Sequence, residues 1–168
     1  DGGEDDARIV AVGARAAAEH GARIATRVRV TGFRAPGEVE AYLDSQRVLN
    51  VATIGPSGPP NLVAMWYARV GGKLSFWTFA KSQKIVNLRR DDKMTGLVES
   101  GDSYDQLRGV ELGGRGRIVE GFDDVLAIGK AVAVRYNGET AVSETALPFL
   151  EAQARKRLAC IQNRSFAP

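Results

Sequence analysis

Two turn signals lie close together in the middle of this sequence and limit what it can form. The first is Gly55-Pro-Ser-Gly-Pro-Pro60 and the second is Gly71-Gly72. The segments around them, Arg47–Ile54, Asn61–Val70 and Lys73–Ala80, are rich in apolar and β-branched residues. A Gly-Gly pair between two such segments is a signal for a two-residue hairpin, which joins antiparallel strands. The middle of the chain is therefore predicted to form an antiparallel sheet.

The rest of the pattern adds helices around this sheet. Helices are predicted at Glu38–Gln46, Ser82–Arg90, Phe122–Tyr136 and Ser143–Arg157, and further strands at Lys93–Glu99, Leu107–Glu120 and Leu158–Asn163. Gly113, Gly114 and Gly116 are predicted to form bulges in the long strand, since glycine in a strand often marks one. The expected class is α+β, with antiparallel strands around a small barrel and peripheral helices.

The first 37 residues differ from the rest. An acidic, Gly-rich start precedes the Ala/Arg-rich stretch Ala7–Glu19, which has a helical composition. The alternation of Ile24, Thr26, Val28 and Val30 predicts a strand. We interpret residues 1–37 as an N-terminal extension and residues 38–168 as one cofactor-binding domain, which is an ordinary size for a domain.

The scarcity of histidine and cysteine excludes several kinds of active site. His20 and Cys160 are each the single residue of their type. A Ser-His-Asp centre would depend on His20, a zinc site would have two such ligands at most, and no intrachain disulfide can form. The chain also has no P-loop. If it is an enzyme, a cofactor is expected to supply the difficult chemistry.

Composition also limits the partners and the location. No apolar run approaches the roughly 20 residues that span a bilayer, so no membrane segment is predicted. The net charge of +3 comes from 23 basic and 20 acidic residues that are interspersed, which does not favour nucleic-acid binding. A single cysteine fits a reducing compartment. We therefore expect a cytoplasmic protein that acts on a small molecule.

A candidate anion site lies where the third strand meets the following helix. Ser82 is a preferred N-cap residue, and Lys81 and Lys84 flank it. A helix N-terminus already carries partial positive charge, so two lysines there are unfavourable unless an anion binds between them. Exposed lysines are also common, and a solvated surface is the alternative. Arg89 and Arg90 lie at the other end of the helix and are interpreted as solvated charges.

Several motifs occur in a familiar order. They are Val51-Ala-Thr-Ile-Gly-Pro-Ser-Gly58, Leu62-Val-Ala-Met-Trp-Tyr67, Phe76-Trp-Thr-Phe-Ala-Lys-Ser-Gln-Lys84 and Asn87-Leu-Arg-Arg-Asp91. From about Val39 to Tyr136 the chain resembles the split β-barrel (FMN-binding-like) family of pyridoxamine 5'-phosphate oxidase-like proteins. It is most similar to the actinobacterial branch that uses the deazaflavin coenzyme F-420. The resemblance implies a homodimer with two cofactor sites at the subunit interface.

The resemblance also implies a set of cofactor-binding residues. Backbone groups of the second and third strands would hold the ring system, the turn before the helix would hold phosphate, and Arg108 would reach the cofactor or its tail. The residues are Leu62, Val63, Ala64, Met65, Trp66, Tyr67, Trp77, Thr78, Lys81, Ser82, Lys84 and Arg108. No metal ligand and no catalytic residue is assigned.

Two departures from the family pattern separate the possible cofactors. Gln83 stands where the FMN oxidases carry an arginine beside the lysine, and the basic, aromatic C-terminal segment is missing. Losing the guanidinium removes a two-pronged phosphate contact. Both departures argue against pyridoxamine-phosphate oxidase activity and fit a deazaflavin with a longer anionic tail. The expected function is hydride transfer from coenzyme F-420 to an organic acceptor. The alternatives are an FMN-dependent oxidoreductase and a non-catalytic flavin- or deazaflavin-binding protein.

Aromatic residues of the two strands have open roles at this stage. Trp66, Trp77 and Phe79 either line the cofactor ring or fill the core. Tyr67 and Tyr104 either donate a proton to the substrate or are structural.

Overall fold

The computed structural model describes residues 28–31 and 36–162. The predicted helix Ala7–Glu19, His20 and the last residues of the chain lie outside the described residues. Its strands are β1 (Val28–Thr31), β2 (Leu49–Ile54), β3 (Pro60–Met65), β4 (Ala68–Val70), β5 (Lys73–Phe79), β6 (Lys93–Ser100), β7 (Arg108–Val119) and β8 (Arg157–Gln162). Its α-helices are α1 (Pro36–Ser45), α2 (Gln83–Arg90), α3 (Phe122–Asn137) and α4 (Leu147–Ala154). Short 3-10 helices lie at Tyr104–Gln106 and Glu139–Val142.

The Gly71-Gly72 hairpin forms as predicted. Val70 of β4 pairs with Lys73 of β5, and the two glycines between them have φ angles of 57° and 72°. Both angles lie in the left-handed region, where glycine has no Cβ to clash. The hairpin therefore turns in two residues and fixes the register of β5.

All strand pairs are antiparallel, and β7 divides the sheet into two halves. The strand order is β3-β2-β6-β7-β8-β5-β4, with β1 also on β7. Residues Arg108–Arg115 pair with β6, and Gly116–Val119 pair with β8. The pairing with β6 is continuous through Gly113 and Gly114, so the predicted bulges there are wrong. Gly116 instead marks the change of partner, where its N–H donates to the Asp92 carbonyl at 2.7 Å.

The predicted strand Asn61–Val70 is interrupted. The ladder with β2 ends at Met65, and the chain joins β5 from Ala68 onward. Trp66 and Tyr67 separate the two strands, so β3 and β4 lie at opposite ends of the strand order although they are almost contiguous in sequence. Apolar residues alternate in the same way before and after Trp66 and Tyr67. The sequence pattern therefore does not reveal that the chain changes its partner strand there.

Two apolar cores lie on the two sides of this sheet. The first contains Leu43 of α1, Leu49 of β2, Phe76 of β5, and Val98 and Val110 of β6 and β7. The second lies under α3 and α4, and Trp77 packs against it. Strand β5 contributes to both cores, which explains why both of its faces are apolar.

The expected α+β class and split antiparallel barrel with peripheral helices are confirmed. The helix predicted over Ser143–Arg157 is shorter, because the segment before Leu147 is turn and Arg157 already belongs to β8. Pairing of Val28–Thr31 with β7 gives part of the predicted extension a place in the sheet, and the division at residue 37 stays a prediction. Among the described residues, no helix is long and apolar enough to cross a membrane.

Candidate functional site

The turn between β5 and α2 holds a cluster of polar side chains. The N–H of Ser82 donates to the Phe79 carbonyl at 2.9 Å, and the N–H groups of Ile85 and Val86 donate to the Ser82 carbonyl at 3.0 and 3.2 Å. Ser82 has extended dihedral angles and is the N-cap residue, as predicted. Its hydroxyl makes no capping hydrogen bond, however. The first turn of α2 therefore keeps unsatisfied donors, as helix N-termini do without a cap.

Lys84 is the centre of this cluster. Its Nζ donates to Oγ1 of Thr78 at 3.1 Å, and Thr78 Oγ1 donates in turn to Oγ of Ser82 at 3.3 Å. Thr78 is 5% exposed, and Lys84 is partly buried. Since Ser82 accepts the Thr78 proton, the Ser82 proton is free to point outward. Lys84 and Ser82 therefore keep donors that can reach a ligand at the turn, and Thr78 orients them.

No carboxylate neutralises Lys84 within the described part of the chain. Burial lowers the pKa of its ammonium group, and no acidic side chain in the described ranges offsets this. A partly desolvated cation beside a helix N-terminus is electrostatically unfavourable by itself. The same arrangement is favourable when an anion occupies the turn.

Lys81 and Gln83 flank Ser82 and differ in orientation. Lys81 is exposed. Gln83 turns away from the cluster along α2, and its Nε2 donates to Oδ1 of Asn87 at 2.9 Å. Lys81 therefore adds positive charge at the turn, whereas the Gln83 side chain does not take part in the cluster.

The C-terminus of α2 contains paired, exposed charges. Arg89 lies 2.8 Å from Glu120, Arg90 donates to the carbonyl of Ile54, and Arg115 pairs with Asp92. Both helix arginines are exposed. The interpretation of Arg89 and Arg90 as solvated charges is therefore confirmed.

The predicted ring-binding residues of β3 alternate between the two faces of an edge strand. Leu62 and Ala64 are exposed, and Leu62 keeps 66% of its surface. Val63 and Met65 point the other way, with Met65 packed against the first core. Because β3 pairs only with β2 in the described sheet, its outer edge has free backbone N–H and C=O groups.

Trp66 and Tyr67, at the break after β3, have opposite environments. Trp66 is 53% exposed and stacks on Tyr136 of α3, with ring centroids 4.3 Å apart and an angle of 8°. Arg47 lies over the same Tyr136 ring at 4.7 Å. Sequence reasoning missed Tyr136, since no local signal links it to a residue 70 positions earlier.

Tyr67 is structural. Its side chain is 0% exposed, and its hydroxyl donates to the Leu43 carbonyl at 2.5 Å and lies 3.2 Å from the Gln46 carbonyl. Burial raises its pKa to about 12. A buried phenol that already donates to the end of α1 is unsuited to protonate a substrate, so that hypothesis is wrong for Tyr67. The side chain of Tyr104 lies outside the described residues.

Trp77 faces away from the Lys84 cluster. Alternation along β5 places Thr78 on the Lys84 side and Trp77 on the side of α3. Gly129 of α3 makes room for it, since a Cβ there would lie 2.5 Å from Cζ3 of Trp77. Of the two predicted roles, lining the cofactor ring or filling the core, the Trp77 side chain has the second. Only the backbone of Trp77 is left to contact a cofactor.

Arg108 belongs to the other end of the β6–β7 hairpin. It pairs with Ser100, whereas Arg115 pairs with Lys93 close to α2. Seven residues of strand separate these ends by about 23 Å. Its guanidinium lies 5.6 Å from the ring centroid of Tyr42, and its carbonyl accepts a hydrogen bond from the Tyr42 hydroxyl. Within one chain the structure therefore does not bring Arg108 to the Lys84 cluster.

A comparison with protein families identifies the fold. The family model described as pyridoxamine 5'-phosphate oxidase matches residues 35–159. The chain belongs to the pyridoxamine 5'-phosphate oxidase family. The match includes the edge strand β3, and also β5 and α2, which are joined by the polar turn.

Three solved structures that are similar to the chain differ widely in sequence identity. A conserved hypothetical protein from Mycobacterium tuberculosis is 40% identical, with a TM-score of 0.71 over 76% of this chain and 80% of its own. An F-420 reductase is 27% identical, with a TM-score of 0.57 over 73% of this chain and 90% of its own. The heme storage protein of Vibrio cholerae is 12% identical with a TM-score of 0.60, over 77% and 89% of the two chains, and shows the fold alone. No curated protein matches the sequence.

Proposed function

We propose that the chain binds the deazaflavin coenzyme F-420 and transfers hydride between it and a small organic acceptor. The observation that carries this proposal is the partly buried Lys84 ammonium group, which has no carboxylate partner among the described residues. An anionic group of the coenzyme would lie at the N-terminus of α2. There it would accept hydrogen bonds from Lys84 and Ser82, with Lys81 adding charge from the exposed side.

The electrostatics of the turn favour an anion over water. Each charge-assisted hydrogen bond stabilises a bound phosphate by about 1.5–3 kcal/mol. The burial that lowers the pKa of Lys84 also weakens competition from solvent. Since Thr78 holds Nζ of Lys84 at 3.1 Å, the ammonium group is already in position before the ligand arrives.

The ring system would lie along the edge of β3. Free backbone groups of Leu62–Met65 would bind the polar edge of the ring, and the exposed Trp66 would border it. When bound in its reduced form, the deazaflavin supplies the hydride. The chain would orient it, exclude water from one face and leave the other face to the acceptor.

Two observations favour the deazaflavin over FMN. Gln83 hydrogen bonds to Asn87 and so points away from the phosphate position that an arginine would reach in the FMN oxidases. A relative at 27% identity is an F-420 reductase. FMN remains the second candidate because the matching family model is described as pyridoxamine 5'-phosphate oxidase.

A homodimer would complete the site. The outer face of the β3-β2-β6 sheet carries exposed apolar residues at Leu62, Ile54 and Leu97. The register places Leu62 opposite Ala52, which in turn lies opposite Thr95, so this face is formed by small and apolar side chains. A second copy of the chain would cover it and enclose the ring of the coenzyme between subunits.

The cytoplasmic location expected from the sequence also remains a prediction.

Titration of the purified protein with each coenzyme tests the proposal. We expect tighter binding of coenzyme F-420 than of FMN, and a loss of roughly 10- to 100-fold in the Lys84→Met variant. Lys73→Met is the matched control, because Lys73 lies at the opposite end of β5, about 20 Å away. Binding of FMN alone would remove the deazaflavin assignment. Unchanged affinity in Lys84→Met would remove the anion site.

Turnover separates an enzyme from a carrier. A reduced coenzyme that is oxidised in the presence of an unsaturated acceptor supports the oxidoreductase. Tight binding with no oxidation by any of a panel of acceptors would favour the non-catalytic alternative.

A further inference from the structure

Among the described residues, a second partly buried cation without a carboxylate partner lies at the same end of β5, on the opposite face from Lys84. Strand pairing places Arg157 of β8 directly opposite Phe79, one residue after Thr78. The N–H of Ala80 donates to the Lys156 carbonyl at 3.4 Å, so the start of β8 borders the turn that carries Lys81. Three cationic residues therefore lie close together, namely Lys81 of the turn, Arg157 of β8 and Lys156 just before β8.

The guanidinium of Arg157 is held in place by neutral groups. It lies 4.3 Å from the ring centroid of Phe79 and 4.9 Å from that of Trp77. Its Nε and Nη2 donate to Oε1 of Gln153 at 3.3 and 3.0 Å. A guanidinium has five N–H donors, so these two hydrogen bonds leave three donors for a ligand.

No acidic residue in the described ranges pairs with Arg157, and burial lowers its pKa. Phe79, on which it stacks, nevertheless keeps 56% of its surface exposed. Stacked arginines recognise anions well because the planar donors are already oriented. Lys81 and Lys156 are both exposed and raise the local positive potential.

We propose that Arg157 and Phe79 form a second anion-binding point, which takes the outer anionic group of an extended ligand whose first anionic group lies at Lys84. The two cations lie on opposite faces at the end of β5. A compact anion such as inorganic phosphate would therefore contact either Lys84 or Arg157. A flexible chain of anionic groups would contact both at once. This inference rests on the proposed site at Lys84 and extends it to ligands with several phosphate or carboxylate groups.

The neighbouring Arg155 offers a matched control. It stacks on an aromatic ring as Arg157 does, with its guanidinium 4.7 Å from the ring centroid of Phe122, but it is exposed. It lies two residues away and contacts α3 instead of β5. Removing its charge changes the net charge by the same amount as removing that of Arg157.

Calorimetric titration of the full chain with inorganic phosphate and with a short linear polyphosphate tests the second point. We expect Arg157→Met to weaken polyphosphate binding about tenfold and phosphate binding less than twofold. Arg155→Met should change neither by more than twofold. Arg157→Lys should recover only part of the lost polyphosphate affinity, because lysine keeps the charge but lacks the stacked, planar donors. Thermal unfolding of each variant shows whether the fold is intact.

Equal losses in Arg157→Met and Arg155→Met would overturn the inference in favour of general electrostatic attraction, as would unchanged polyphosphate binding in Arg157→Met or none in the parent protein. Lys84→Met distinguishes this failure from failure of the proposed function. If that variant keeps its phosphate affinity, the site at Lys84 is wrong, and the comparison of Arg157 with Arg155 still decides the second point.

Discussion

Asn87 of α2 donates a hydrogen bond from Nδ2 to Oγ1 of Thr53 on β2 at 3.0 Å, and both side chains are 0% exposed. Oδ1 of Asn87 also accepts the hydrogen bond from Gln83. This buried pair fixes the rotation of α2 on the sheet, and so fixes the direction in which Lys84 points.

Replacing Asn87 by leucine is expected to destabilise the fold by about 2–3 kcal/mol, because Oγ1 of Thr53 loses its buried donor. Chemical denaturation of Asn87→Leu, Thr53→Val and the double variant measures this. The double variant should lose less than the sum of the two single losses. Additive losses would show that the two side chains do not act together.

Gly129→Ala is expected to destabilise the protein by about 1–3 kcal/mol, since the new Cβ would lie 2.5 Å from Trp77 and the ring must shift. Thermal unfolding, together with tryptophan emission recorded in a Trp66→Phe background so that Trp77 is the emitting residue, detects both effects. At Gly121 a Cβ would meet only Asp124 Oδ2 at 3.7 Å, so Gly121→Ala is the control and should change stability far less. Equal effects at the two glycines would contradict the packing explanation.

Arg135 holds the end of α1 to the end of α3. Its Nη2 donates to the carbonyls of Leu43 at 2.7 Å and Gln46 at 2.6 Å. Arg135→Met is expected to cost about 2–3 kcal/mol, because hydrogen bonds to a charged donor are among the stronger ones. Urea denaturation measures the loss. Arg117→Met, an exposed change in β7, should be nearly neutral.

Tyr67 should make stability depend on alkaline pH. Its pKa is raised from 10.0 to about 12 by burial, so the folded state favours the protonated phenol. This contribution is fully present below about pH 10 and is lost as pH rises toward 12, with a total of about 2–3 kcal/mol. The difference in unfolding free energy between the parent protein and Tyr67→Phe, measured from neutral to alkaline pH, should shrink across that window. A constant difference would mean that the phenol ionises as readily in the folded state.

Local signals predicted the parts of the fold that local chemistry determines. Gly71-Gly72 gave the hairpin, and Ser82 gave the start of α2 within one residue. What sequence reasoning missed depends on residues far apart in the chain. The break at Trp66 requires Tyr136 for its stack, and the orientation of Trp77 requires the space at Gly129. Both faces of β5 carry apolar or buried residues, so its alternation could not show which face meets the candidate site.

The resemblance supplied residues that periodicity alone could not. Among them, Lys84, Ser82 and Thr78 form one cluster, whereas Arg108 lies with Tyr42 at the other end of the β6–β7 hairpin. Burial and ion pairing determine whether a described lysine such as Lys84 is partly buried without a carboxylate partner, and neither can be read from spacing.

The break at Trp66 and Tyr67 has a consequence for how the sheet opens. Strands β3 and β4 are the two ends of the strand order, and the described ladders do not join them directly. The two strands are connected only through the backbone of Trp66 and Tyr67. Moving β3 away from β4 therefore breaks no strand pairing in the described sheet. It breaks the Trp66–Tyr136 stack and the hydrogen bond from the Tyr67 N–H to the Tyr136 hydroxyl. Amide hydrogen exchange should therefore be fastest along this seam of the sheet, and slowest between β6 and β7.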